Sequence, residues 1–103
     1  MVVMLCSCPP AEATAIARAL VEEQLVACVN IVPGVTSVYR WEGAIHEDAE
    51  STLFIKTSGA RVHAASERLR ELHSYDTPEI VVLPVDMERS DPRYLAWVEA
   101  MTR

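Results

Sequence analysis

The sequence contains no run of 18 apolar residues, so no segment has the length of a membrane-crossing helix. It also lacks a basic excess. Nine Lys and Arg stand against 15 Asp and Glu, for a formal net charge of -6 and a pI near 4.9. With no basic stripe to neutralise phosphates, neither nucleic acid nor an anionic membrane is expected as a partner. The opening "MVVMLCSCPP" has no basic n-region and no h-region of sufficient length before its prolines, which predicts a soluble, unexported protein. Cysteine is sparse: three thiols cannot all pair within one chain, and nothing marks an oxidising compartment. Free thiols in a reducing cytoplasm are the expectation, and these would be available to metals. G-x-S-x-G, HExxH, P-loop and dinucleotide fingerprints are all missing, and no Ser, His and acid set follows from spacing, so catalysis is not expected.

Half of the residues are hydrophobic and 23% are charged, an ordinary globular composition. Residues 1–103 make one domain, long enough for a single core. "VVMLCSC" (Val2 to Cys8), stopped by Pro9-Pro10, predicts a buried strand. A helix follows, with Pro10 in its first turn and Ala13, Ile16, Ala17 and Leu20 at i, i+3, i+4, i+7. Val26 to Val32 predicts a second strand, bent at Pro33-Gly34 and continued by Val35 to Glu42. Gly43-Ala44 suits a type II′ hairpin loop, placing Glu42 opposite Ile45, Trp41 opposite His46 and Arg40 opposite Glu47. The return arm "HEDAESTLFIKT" passes from a polar, exposed half to a buried one. A helix is predicted from about Ala60 to Leu72, with Val62, Ala65, Leu69 and Leu72 on one face. "PEIVVLPV" (Pro78 to Val85) predicts a strand covered on both faces, and Asp91-Pro92 opens a short terminal helix with Tyr94, Leu95, Val98 and Met101 on one stripe.

This order predicts an α+β, ferredoxin-like split βαβ fold with a long β-hairpin and a short C-terminal helix. The return arm, about 13 residues at about 3.3 Å each, is too long for a globule whose radius of gyration is about 13 Å. The hairpin must therefore protrude, and a bare two-stranded ribbon calls for a partner subunit.

"ACVNIVPGVTSVYRWEGAIHEDAE", "LFIKT", "HSYDTPEIVVLPV" and "YLAW", in this order over nearly the whole chain, resemble the CutA divalent-cation-tolerance family. The resemblance implies a cytoplasmic homotrimer that handles copper or another divalent metal, weakly bound, in cation tolerance. It implies Cys28 and His73 as metal ligands. It further implies kinship with trimeric PII signal proteins and an inter-subunit cleft for a small molecule, built from Tyr39, Trp41, Lys56, His73, Tyr75 and Glu79. Two departures stand out: Leu72 precedes a single His73 where some members have two histidines, and Ser74 stands where proline is common.

Read without the resemblance, these residues have plainer roles as well. Cys28 between Ala27 and Val29 suits a small core hydrophobe as well as a ligand, and His73 suits a helix C-terminus. Cys6 and Cys8 form a C-x-C on one strand face, either core filling or a soft-metal clasp. Glu47, Asp48 and Glu50 would keep the ribbon soluble, and Tyr39 with Trp41 makes an aromatic strip for either packing or a cleft. Lys56 ends an apolar run and needs a partner, which Glu79 could supply; the pair predicts a pocket for a small zwitterion or anion.

Overall fold

Two helices lie against one face of a four-stranded antiparallel sheet, and the opposite face carries no helix of that pair. A computed structural model describes all of residues 1–103. Strands β1 (Val2–Cys8), β2 (Cys28–Trp41), β3 (Ala44–Thr57) and β4 (Val81–Pro84) are arranged β2-β3-β1-β4. Helices α1 (Ala13–Glu22) and α2 (Val62–Leu72) each follow a single 3-10 turn, and α3 (Pro92–Met101) closes the chain. The ferredoxin-like α+β reading holds.

The core forms where period 2 meets period 3.6. Met4, Cys6 and Cys8 of β1 and Leu53 and Ile55 of β3 point to the helices, where they meet Ala13, Ile16 and Leu20 of α1 and Ala65 and Leu69 of α2. All four stripe residues expected on α1 are buried. In α3 the Asp91 side chain accepts from the N–H groups of Arg93 (2.8 Å) and Tyr94 (3.4 Å), satisfying donors that the helix cannot satisfy itself. Leu95 and Val98 are buried there, whereas Tyr94 and Met101 of the same stripe remain exposed.

The hairpin protrudes. Its arms are 14 residues each, and the longest dimension of the chain is 44 Å against 27 and 22 Å for the others. β2 takes one extra residue between Val32, opposite Thr52, and Val35, opposite Glu50, so Pro33-Gly34 is a bulge, with Gly34 at φ +72°. The bulge also corrects the expected loop. With the core pairs fixed at one end and one residue added to β2, Trp41 falls opposite Ala44 and Tyr39 opposite His46. The loop is therefore Glu42-Gly43, and both residues have positive φ (49° and 80°), the type I′ pattern rather than II′. Arg40 consequently faces Ile45 and not Glu47. Glutamate is a poor residue for a left-handed position. Glu42→Asn is expected to raise stability by about 0.5–1 kcal/mol, visible as a higher melting temperature; a lower one would mean that the Glu42 side chain has a role at the tip.

A second correction concerns β4. It is four residues long and lies at the sheet edge beside β1, with Val81, Val82 and Leu83 41–44% exposed, so this chain does not cover it on both faces. The apolar run is complete while its cover is absent, because α1 and α2 sit over β1 and β3.

Candidate ligand cleft

Three elements converge at the far end of β1. The bulge shifts the alternation of β2, so Val35, Ser37, Tyr39 and Trp41 share a face with Ala44, His46, Asp48 and Glu50 of β3, away from the helices. The loop after α2 crosses toward the same place, anchored at three points. His73, 6% exposed, bonds through Nε2 to the Ser7 carbonyl (2.8 Å), and its Nδ1 accepts from the Tyr75 N–H (3.1 Å). A backbone N–H can only donate, so Nδ1 is bare and Nε2 carries the proton: His73 is the neutral Nε2–H form here. Ser74 donates its N–H and hydroxyl to the Glu12 carboxylate (3.1 and 2.6 Å). The Tyr75 hydroxyl donates to Glu50 Oε2 at 3.0 Å, and burial with that carboxylate beside it pushes the phenol up to about 12, so it remains a donor at any physiological pH.

Between loop and ribbon lies a cavity of about 620 Å³ lined by Ser7, Ser37, Val38, Tyr39, Trp41, Glu50, Tyr75, Asp76, Thr77 and Glu79. The Tyr39 ring stacks on His46 with centroids 5.4 Å apart, and its hydroxyl donates to Asp48, a bond that raises the phenol pKa. Of the six residues expected to form a cleft, Tyr39, Trp41, Tyr75 and Glu79 line this cavity, whereas His73 stands behind it as an anchor of the loop and Lys56 lies elsewhere. Lys56 pairs across the ladder with Cys28 and donates to Asn30 Oδ1, so no Lys56–Glu79 ion pair forms in this chain. Glu50 was expected on the wet half of the ribbon and is instead 7% exposed. Its parity with Thr52, Phe54 and Lys56 was the available signal, but the loop that buries it comes from 25 residues away. Ser7, Ser37, Asp76 and Thr77 carried no signal in the sequence.

The thiols divide into two kinds. Cys6 and Cys8 are wholly buried among helix residues, and burial, with Cys8 beside it, pushes the Cys6 thiol up to about 12. Neither is a ready thiolate. Cys28 lies on the opposite sheet face, half-buried, with its Sγ toward Asn30 Oδ1 (3.9 Å) and close enough to Tyr94 to raise that phenol, after burial. Iodoacetamide is expected to modify at most one thiol per folded chain, Cys28, and all three after unfolding. Modification of Cys6 or Cys8 in the folded protein, read by intact mass and peptide mapping, would contradict this core.

Cys28 and His73 do not meet within one chain. Cys28 aligns through Lys56 with Val3, whereas His73 bonds Ser7, four residues along β1 and so about 13 Å away. No group of three or more His, Cys, Asp or Glu converges as a metal cage in this chain.

The model of a family described as CutA1 divalent ion tolerance protein matches residues 2–101. The chain is 48% identical over 101 residues to the divalent-cation tolerance protein CutA of Thermus thermophilus, covering 97% of this chain and 96% of that one. It is 45% identical to mouse protein CutA over 97 residues, 93% of this chain but only 54% of the mouse protein, so it spans about half the length of that relative. Among solved structures it superposes on a PII-like protein CutA from Nostoc, in apo form, with a TM-score of 0.96 at 42% identity, covering 100% of this chain and 98% of that one. Family match, near-full-length identity and superposition agree with the geometry, and the chain belongs to the CutA1 divalent ion tolerance family.

Proposed function

We propose that this protein acts in divalent-cation tolerance as a cytoplasmic homotrimer, and that its working site is the cleft between the ribbon and the Tyr75–Glu79 loop. In this reading the protein is a PII-like adaptor that reports a bound small molecule through the shape of its subunit boundary. The observation that carries it is the cavity itself, where the anchored loop and the aromatic strip of Tyr39 and Trp41 close on about 620 Å³, a volume ordinary for a small-molecule site. The uncovered apolar strand β4 and the protruding hairpin support assembly with further copies. The test is Trp41 fluorescence, with Trp97→Phe removing the other indole, against a panel of cationic, neutral and anionic metabolites. A saturable response supports the reading, and silence across the panel overturns it.

A second reading, direct binding of copper or a similar divalent metal, is favoured by Cys28 being the one thiol with solvent access. Its ligand pair remains Cys28 with His73. With an offset of about 13 Å along β1, such a site would take the two from different subunits, and His73 must release its bond to Ser7 or Tyr75 to offer a lone pair. Calorimetric titration of the reduced, metal-free protein with Cu(I) and Zn(II), beside Cys28→Ser and His73→Ala, tests it. Saturable binding lost in both variants supports the pair, and binding indifferent to both removes it.

A further inference from the structure

The geometry points to an organic cation, an alkyl ammonium or quaternary ammonium compound, as the ligand class of the ribbon–loop cleft. This rests on the cleft reading above and adds its charge. The ten residues around the cavity include three carboxylates, Glu50, Asp76 and Glu79, and no Lys, Arg or His. A fourth carboxylate, Asp48, stands behind Tyr39 as the acceptor of its hydroxyl. None of the four takes part in an ion pair, although the surface of the chain elsewhere is laced with Arg–Glu and Arg–Asp pairs.

Glu50 makes the demand specific. It lines the cavity at 7% exposure, its Oε2 is held by the Tyr75 hydroxyl, and its Oε1 has no hydrogen-bond partner in the chain. No buried side-chain oxygen of the chain is left without a partner, so Oε1 meets solvent in the cavity, and a cation entering there would give Glu50 the counter-charge that no residue of the chain supplies. The remaining walls are aromatic. Tyr39, Trp41 and Tyr75 line the cavity, and the Trp41 indole is 52% exposed in the single chain. Carboxylates joined to aromatic faces recognise an ammonium group by charge and by cation–π attraction together. A bare metal ion fits less well, because no cage of three ligating side chains converges and the cavity is far larger than one ion. The cation class departs from the zwitterion or anion expected of a Lys56–Glu79 pocket: with Lys56 held at Asn30, an anion would meet three carboxylates and no cation of this chain.

The test is calorimetry on the full-length reduced protein with 1,4-diaminobutane, spermidine and tetramethylammonium, matched by 1,4-butanediol and succinate, with Trp41 fluorescence followed in parallel. Saturable binding of at least one cation is expected, with no binding of the diol or succinate. Glu79→Gln, at an exposed position, and Glu50→Gln are each expected to weaken it about tenfold or more, and added NaCl to weaken it further. Cation binding that both variants leave unchanged would overturn the site. Binding of succinate or the diol at Trp41 with the cations excluded would overturn the charge class and leave the cleft reading standing. Silence to every compound here and across the metabolite panel would remove both.

Discussion

Leu53→Ala is expected to lower the unfolding free energy by about 3 kcal/mol per chain, within the range for large-to-small changes at fully buried sites. Leu53 is wholly buried in the core half of β3, opposite Cys6 on one side and Ile31 on the other. It belongs to the cluster that joins both main helices to the sheet, so no single neighbour can move into the space without leaving another contact. The loss has two parts: the transfer of the removed methyl groups and the cavity left behind. Ile45, at the exposed ribbon tip, serves as the control; Ile45→Ala is expected to cost less than about 0.5 kcal/mol. Urea unfolding at fixed chain concentration reads both, since the proposed assembly would make the midpoint depend on concentration. Comparable losses from the two variants would mean that the sheet face toward α1 and α2 is not where the stability resides.

Local pattern made much of this fold legible, and long-range register hid the rest. The stripe Ala13, Ile16, Ala17, Leu20, the cap at Asp91 and the length of the hairpin are properties of a few consecutive residues, and each appears as the sequence implies. The hairpin loop failed because its register is set elsewhere. One residue inserted at Pro33-Gly34 moves the turn to Glu42-Gly43, and the turn dipeptide alone cannot report that. In the cleft, the ribbon aromatics were visible as i, i+2 on one strand face. Lys56 and Glu79 were paired in expectation by chemical need, but they belong to different places, because the acid faces the cavity and the base is satisfied by Asn30. Glu50 was misjudged for the converse reason: its surroundings are supplied by Tyr75. Cys28 lies on the sheet face away from α1 and α2, beside Tyr94 of α3, while Val26, two residues earlier, lies before the strand and enters the core.

Phe54→Asp is expected to break the proposed trimer into single chains while leaving each chain folded. In β3 the residues alternate cleanly: Ser51, Leu53, Ile55 and Thr57 are buried toward the helices, whereas Phe54 points the other way and is 39% exposed. Its ladder neighbours are Leu5 and Asn30, and Val81 and Leu83 continue the same face across β1 through their pairing with Leu5 and Val3. This is a contiguous apolar sheet face without a covering layer, and a sheet with two apolar faces is stable in water only when both are buried. In the proposed trimer a second and third copy would provide that cover without any further chain. A carboxylate at its centre would be half-exposed in one chain and buried without a partner in the assembly, so its cost falls on association. Sedimentation velocity is expected to show the native chain at three times 11.4 kDa and the variant at 11.4 kDa, with the same far-ultraviolet circular dichroism. A variant that remains three chains would place the contacts on the ribbon and α3 alone. A native protein already sedimenting as one chain would end the trimeric reading. The same variant also examines the cleft. If the cation site is complete in one chain, 1,4-diaminobutane affinity survives dissociation; if neighbouring copies close it, affinity and trimer are lost together.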